Sequence, residues 1–397
     1  MPVKDSITLK MDKIGFIPLR AGSKGIINKN KKKILGRPLF TWTLAEAIFS
    51  DLDQVYVFTD DEWIISYVNQ EYAWSPKVKT FLRSKESATD TASTEFAMEE
   101  LAKHLNFNFG QLYLLQATSP LTTSIDINNA IKLLNESDYD SVLSVVKTHR
   151  FIWDKSGRSL NYEYLNRPRR QDFEGLLIEN GAIYGIKTET YRKNLNRLGG
   201  KIGVFEMPED TLTEIDEPSD LLIVEQLLAN RLISSKRPTS RFRFFVMDVD
   251  GVLTNATVAY TQTGEFSKDF SLVDGMGISF LPDHGITPIV ITSENSPIVE
   301  QRMKKIGIEY VFMGVKDKYS FLRNFLSTKN SSMQEIAYVG DDINDLANIY
   351  AANLSFAPLN GMQNVQQAAD FTLSKEGSKG AIREAIEITI KFNGRNS

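Results

Sequence analysis

The stretch FFVMDVDGVLT (244–254) runs apolar as far as Met247, then places a carboxylate at Asp248 and another at Asp250. A buried strand gains nothing from two acids at its end, whereas ligands in doubly wound α/β folds collect where strands run out. Further strand ends follow. TPIVIT (287–292) ends on Thr292, with Ser293 behind it; Lys318 comes next, and EIAYVG (335–340) leads into the acidic cluster GDDIND (340–345). This set suits phosphate-ester hydrolysis. One carboxylate attacks phosphorus, and a second, two residues on, protonates the leaving oxygen and later activates water. Clustered acids hold Mg²⁺, while a hydroxyl and a lysine grip the remaining oxygens.

Outward from that stretch, TPIVIT, EYVF (309–312), EIAYVG and NLSFA (353–357) alternate with helical patterns, so residues 242–397 read as one α/β domain. VAYTQTGEFSKDF (258–270) alternates and breaks at Gly264, the pattern of a β-hairpin. SSKRPTSR (234–241) interrupts the periodicity and reads as a linker. Residues 1–233 form another series. IGFIPL (14–19), QVYVFT (54–59), KTFL (79–82), QLYLLQ (111–116) and SVLSVV (141–146) read as strands. Helices are predicted over 38–49, 93–105, 124–135 and 217–232, the first with Pro38 in its opening turn, and an acidic helix start lies at 60–62. The fold class is therefore α/β, with two doubly wound domains and mostly parallel sheets.

After IGFIPL, a loop carries Gly22, Ser23, Lys24 and Gly25 ahead of Lys29 and Asn30. Small residues let the backbone approach a phosphate chain, and basic ones neutralise it. The order GSKG is neither a Walker A loop nor a dinucleotide fingerprint, and the lysines at 31–33 read equally well as a solvated face. The bulk numbers narrow the classes. A chain of 397 residues suits two or three domains. A net charge of −4 gives no reason to expect a nucleic acid or an anionic membrane as partner. With no cysteine there is no disulfide or thiolate metal site, and three histidines (His104, His149, His284) leave little room for zinc or a Ser-His-Asp triad. The N-terminus lacks a signal-peptide core and no apolar run approaches about 18 residues, so a cytoplasmic location is expected.

The ordered set DVDG, Thr292, Lys318 and GDDIND, with the tail GSKGAIRE (377–384), resembles the haloacid dehalogenase (HAD) superfamily over about 242–393. It is most similar to the cap-less phosphatases of octulosonate 8-phosphate and nonulosonate 9-phosphates. The resemblance implies Asp248 as nucleophile, Asp250 as acid/base, and Thr292 and Lys318 as phosphate ligands. Mg²⁺ is expected on Asp248, Asp341 and the carbonyl of Asp250; Asp342 either ligates or supports, and Asp345 is the weaker candidate. Cap-less members assemble as tetramers, so a homotetramer through this domain is implied. Glu294, in TSEN, stands where octulosonate enzymes carry arginine, and Val273 replaces another arginine ahead of DGMGI (274–278). Both departures favour a nonulosonate.

LRSKESATDTAS (82–93), LLQATSPL (114–121), RPRRQDF (167–173), ENGAIYGIK (179–187) and TEIDEPSDL (213–221) resemble, in that order, the N-acylneuraminate cytidylyltransferases over about 13–231. The likeness is to the animal type, which also carries a phosphatase-like second domain. It implies a nucleotidyltransferase-type Rossmann-like fold, CTP and a sugar acid as substrates, and Mg²⁺ in this domain too. Arg20, Gly22, Ser23, Lys24, Lys29, Asn30 and Arg83 are then nucleotide ligands. Gln116, Arg170, Gln171 and Tyr184 are sugar ligands, with Glu294 in the phosphatase pocket. For RPRR a surface basic cluster is the alternative. Asp216 is a metal ligand, and Glu214, where the family often has aspartate, binds either directly or through water. Thr122 replaces an arginine common in bacterial members. The expectation is a bifunctional enzyme, partnered by neither nucleic acid nor membrane. A cytidylyltransferase whose second domain only assembles it, and an octulosonate substrate, remain open, as does the substituent at C5 of the sugar.

Overall fold

A computed structural model describes residues 12–23, 25–237 and 241–395. Lys24, one of the predicted nucleotide ligands, lies outside the described residues. Two compact units emerge, Met1–Lys32 with Pro38–Val224, and Lys33–Arg37 with Glu225–Ser397. The division thus falls inside the helix that ends the first series, and a short early segment belongs to the second unit.

The strands up to residue 224 are β1 (Lys13–Leu19), a two-residue pair β2 (Lys33–Ile34) and β3 (Arg37–Pro38), β4 (Gln54–Thr59), β5 (Val78–Leu82), β6 (Gln111–Leu115), β7 (Ser141–Thr148), β8 (Leu176–Lys187) and β9 (Ile202–Glu206). Seven of them make one sheet in the order β5-β4-β1-β6-β8-β7-β9. β1 is parallel to β4 and to β6, so the chain reverses its direction of winding beside the end of β1. That topological switch opens a crevice at the following loop. The departure from a parallel sheet is β8, antiparallel to both neighbours. Neither β8 nor β9 was predicted. Glycines and a mid-strand irregularity opposite Leu143/Val145 interrupt the alternation that would announce β8.

The helices here are α1 (Leu39–Phe49), α2 (Glu62–Glu71), α3 (Thr94–His104), α4 (Ser124–Glu136), α5 (Thr188–Asn194) and α6 (Pro218–Ser234). Alternate strand residues feed two cores. Ile17, Leu19, Val55 and Val57 meet Leu44, Ile64 and Ile127 of α1, α2 and α4, while Ile14, Phe16, Tyr56 and Phe58 meet Leu101 and Tyr191 of α3 and α5. This period of two, buried on both faces, is what a sheet covered by helices requires. Pro38 occupies the N-cap of α1, not its first turn. Asp61 caps α2, accepting from the amides of Trp63 and Ile64.

The second unit holds β10 (Phe244–Met247), the antiparallel hairpin β11 (Ala259–Thr261) and β12 (Gly264–Ser267), then β13 (Thr287–Ile291), β14 (Tyr310–Phe312), β15 (Ile336–Val339), β16 (Leu354–Ala357) and β17 (Phe371–Thr372). Its six-stranded sheet runs β14-β13-β10-β15-β16-β17, every pair parallel. β10 is fully buried and again central, flanked by β13 and β15, so the second switch point lies at Asp248. The helices are α7 (Leu272–Ser279), α8 (Pro297–Lys305), α9 (Lys318–Thr328), α10 (Leu346–Ala351), α11 (Gln363–Ala368) and α12 (Ala381–Arg395). Phe245, Met247, Val290 and Val339 pack against Ile278 of α7 and Ile382, Ala385 and Ile386 of α12. The buried Asp274 carboxylate joins these helices, accepting from the amides of Gly380 (3.2 Å) and Arg383 (2.9 Å) at the start of α12. Among the described residues only the hairpin separates β10 from α7, and no helix is long and apolar enough to cross a membrane.

Part of the predicted linker is held in place. Lys236 Nζ reaches both oxygens of Asp370 at 2.9 and 2.7 Å, and Arg237 exchanges two 2.7 Å hydrogen bonds with Asn353. Residues 238–240 lie outside the described residues.

Candidate active sites

In the second unit, the end of β10 delivers Asp248 into a closed set of charges. The residue is 5% exposed, and its Oδ2 lies 2.7 Å from Lys318 Nζ. The same ammonium donates to Asp345 Oδ1 at 2.9 Å, while Tyr338 donates to that oxygen at 2.6 Å. The other oxygen of Asp345 accepts from the amides of Asp341 (3.2 Å) and Asp342 (3.4 Å). Both Asp345 oxygens are therefore engaged, and this residue orients Lys318 and the acidic loop.

Asp341 completes a group of three carboxylates, Asp248, Asp341 and Asp345, whose ligand atoms lie within 4.8 Å of one another. Gly251 makes room for it. That residue sits at φ +87°, and a Cβ there would come within 1.9 Å of Asp341 Oδ2. Burial pushes Asp248 up to about 7, with Asp345 adding to the rise and Lys318 opposing it. Burial, then the charges of Asp345 and Asp248, push Asp341 up to about 8. Lys318 is also raised, but by its partners and not by burial. Burial works to lower its pKa, yet the Asp248 and Asp345 charges raise it overall. Asp341 Oδ1 is buried without a hydrogen-bond partner. An orphaned carboxylate oxygen among acids held above their ordinary range fits a cation.

Around this centre, the Asp250 carboxylate accepts from Lys268 at 2.7 Å and from Thr254 at 3.3 Å. Lys268 belongs to the chain leaving the hairpin and also lies 3.7 Å from Glu265. Thr292 is buried at the end of β13, and its hydroxyl accepts from the Glu294 amide at 3.4 Å. Glu294 is exposed, and so is Asp342, which caps the following turn by accepting from the Ile343 amide at 2.6 Å. The sequence expectation gave Asp342 precedence over Asp345; the structure puts Asp345 inside the carboxylate group and Asp342 outside it. The reason is the loop's local geometry: its first turn uses Asp342 as a cap and folds Asp345 back beneath it.

In the first unit, the loop after β1 borders a cavity of about 510 Å³ whose lining includes Arg20, Ser23, Lys29, Asn30, Arg83, Gln116 and Asp216. Here the charges are paired but open to water. Arg20 meets Asp90 at 2.5 Å, with both side chains about a third exposed. Lys29 Nζ donates to the Ile215 carbonyl at 2.7 Å and to Asp216 at 3.3 Å. Asn30 donates to the Arg20 carbonyl at 3.2 Å, which ties the two ends of the loop together. Arg83 is buried and bound to Ser87; burial lowers its pKa. Burial likewise raises Glu214, with Asp216 adding to the rise and Lys29 opposing it, and the carboxylate lies against the backbone of Gly181. Tyr184 is buried on β8 and donates to Glu179, beneath the Arg197 guanidinium.

Several predicted ligands stand apart from this cavity. Gly22 is exposed in the loop with open space around it. Arg170 and Gln171 are exposed in a short turn, Arg170–Asp172, within the excursion between β7 and β8. Thr122 is buried. The residues missed by sequence reasoning, Lys268, Asp90 and Tyr338, share one feature. Each acts only through a second side chain, 7 residues away for Tyr338, 18 for Lys268 and 70 for Asp90, and none lies within a motif whose spacing announces it.

The fold and the acid set define a two-part α/β enzyme, each part with a charged crevice at its own switch point. Residues 14–237 match the cytidylyltransferase family, and residues 295–386 match the haloacid dehalogenase-like hydrolases. The N-acylneuraminate cytidylyltransferase of Oncorhynchus mykiss is 31% identical over 384 residues, covering 94% of this chain and 87% of the relative. N-acylneuraminate cytidylyltransferase B of Danio rerio is 29% identical over 393 residues, covering 96% and 91%. The 3-deoxy-D-manno-octulosonate 8-phosphate phosphatase of Haemophilus influenzae is 35% identical over 155 residues, covering 39% of this chain and 86% of its own. The chain belongs to the N-acylneuraminate cytidylyltransferase family, and its second half is a hydrolase domain of the HAD type.

Proposed function

We propose that the protein catalyses two consecutive steps in the activation of a nonulosonate: hydrolysis of the 9-phosphate, then transfer of CMP from CTP to the freed sugar acid. The observation that carries the first step is the buried group Asp248, Lys318, Asp345 and Asp341 at the end of β10. Asp248 attacks phosphorus, the bond to the sugar oxygen breaks, and Asp250 protonates that oxygen. Water, losing its proton to Asp250, then cleaves the aspartyl-phosphate and releases inorganic phosphate. Thr292 and Lys318 hold phosphate oxygens. Mg²⁺ on Asp248, Asp341 and the Asp250 carbonyl supplies charge neutralisation when bound.

In residues 1–233 the anomeric hydroxyl attacks the α-phosphorus of CTP and pyrophosphate leaves. Arg20, Ser23, Lys29 and Asn30 position the triphosphate, Arg83 the cytidine end, and Gln116, Tyr184 and Arg170 the sugar. Glu214 and Asp216 are the acids for a second Mg²⁺. The assembly is a cytoplasmic tetramer formed through residues 242–397.

A second reading, in which the phosphatase acts on an octulosonate 8-phosphate, draws on the 35% identity to the Haemophilus influenzae phosphatase. The exposed Glu294 speaks against it, since octulosonate enzymes carry arginine there. Incubation with Mg²⁺, CTP and a panel of nonulosonate 9-phosphates and octulosonate 8-phosphate, read by mass spectrometry, tests both. The expected product is the CMP-nonulosonate with stoichiometric phosphate. Transfer to free sugar without phosphate release would reduce the second domain to an assembly module.

A further inference from the structure

The second unit includes five residues from early in the chain, Lys33–Arg37. Leu35 and Gly36 turn the β2–β3 pair with positive φ values of +48° and +79°, as a two-residue hairpin turn demands. Three ties hold this turn. The Leu35 amide donates to Glu225 at 2.7 Å. Gly36 lies against the backbone of Ile343 and Asn344, so closely that a Cβ would come within 1.9 Å of the Ile343 carbonyl oxygen. Arg37 forks onto Asp317, Nε to Oδ1 at 2.8 Å and Nη2 to Oδ2 at 3.0 Å, and adds a 2.6 Å bond to the Ser320 hydroxyl.

The places touched are not neutral. Asp317 immediately precedes Lys318 and caps α9, accepting from the Ser320 amide at 3.3 Å. Tyr319, on the other side of Lys318, lies beneath the Arg37 guanidinium at 4.8 Å. Ile343 and Asn344 belong to GDDIND, between Asp341 and Asp345. Arg37 and Asp317 are 2% and 1% exposed in their side chains, so their pairing is shielded from water and geometrically strict. A guanidinium that fixes both neighbours of a lysine restricts where its ammonium can point.

We propose that Arg37 is a positioning residue for the phosphatase centre: through Asp317, Ser320 and Tyr319 it sets the first turn of α9 and so the reach of Lys318 to Asp248. Gly36 does the same for the acidic loop. The inference rests on the phosphatase reading above. It gives a role to a segment that groups with the second unit although it lies far from the rest of that unit in the chain.

The test uses the full chain and N-acetylneuraminate 9-phosphate, with CTP-dependent transfer to free sugar as the check on folding. Arg37→Met alone leaves a buried charge and is expected to destabilise. The decisive variant is Arg37→Met with Asp317→Asn, which removes both charges and keeps a side chain able to cap α9. Expected are a melting temperature and CMP transfer near those of the parent, phosphate-release kcat lower by roughly tenfold or more, and KM within about threefold. Arg37→Lys, which keeps the charge and loses the fork, should fall between. If the pair serves folding alone, the double variant recovers phosphate release along with stability, and the inference is overturned. Unchanged kcat in both variants overturns it as well, while the phosphatase reading stands. A parent protein that transfers CMP and releases no phosphate removes the phosphatase reading and this inference together.

Discussion

The two crevices lie at equivalent places, each beside the first strand of its sheet, yet they handle charge in opposite ways. At the end of β10 the lysine and carboxylates are buried and bonded to one another. After β1 the pairs Arg20–Asp90 and Lys29–Asp216 are partly exposed, and the Asp216 side chain is 73% exposed. On the proposed function, the difference matches what each site has to accommodate. A phosphoryl group is small and is met by a preorganised set that water does not reorganise. A nucleoside triphosphate and a sugar acid together need an open cavity. Its cations rest on exchangeable acids, and exposed ion pairs cost little to break.

Breaking the contrast at its strongest point gives the largest effect. Asp248→Asn is expected to lower phosphate release by roughly 10⁴-fold or more, since it removes the nucleophile of the proposed mechanism, and to leave CMP transfer intact. Paired assays of phosphate and CMP-sugar check this, and equal loss of both activities would contradict two independent centres. The reciprocal change, Lys29→Ala, is expected to lower CMP transfer by about 10²-fold, the scale of losing one charged contact to a transferring group, with phosphate release preserved. Steady-state rates for both reactions on one preparation measure it.

A smaller effect sharpens how α7 and α12 back the second centre. Asp274→Ala leaves amides of Gly380 and Arg383 without their acceptor, which should cost about 1–3 kcal/mol in denaturant unfolding. Burial raises the Asp274 carboxyl above its ordinary value. Its contribution therefore favours the fold most below the ordinary carboxylate range and is lost as pH rises through the folded value. Asp274→Asn should accordingly lose less stability than the parent between acid and neutral pH. The opposite slope would mean that the ionised form is the one the fold prefers.

Much of the second centre was legible in the chain because its parts are local. Asp248 and Asp250 sit two apart at a strand end, and GDDIND occupies a single turn, so strand pattern and residue type locate them together. Lys268 was not legible. It is one charged residue just past the hairpin until folding brings it to Asp250. Which of Asp342 and Asp345 faces inward was not legible, because capping geometry, not acidity, decides it. In the first half, β8 escaped notice because glycines and an irregular register hide its alternation.

The amino-acid order by itself determined the two α/β series, the strand ends where chemistry gathers and the family to which the chain belongs. These follow from periodicity and from side-chain types at short spacing. Only the tertiary structure decided that β8 runs antiparallel, that Asp345 spends both oxygens on Lys318, Tyr338 and two amides, and that Arg37 joins Asp317 across 280 positions. Pairings between distant residues depend on burial and on the direction of approach, which no local pattern encodes.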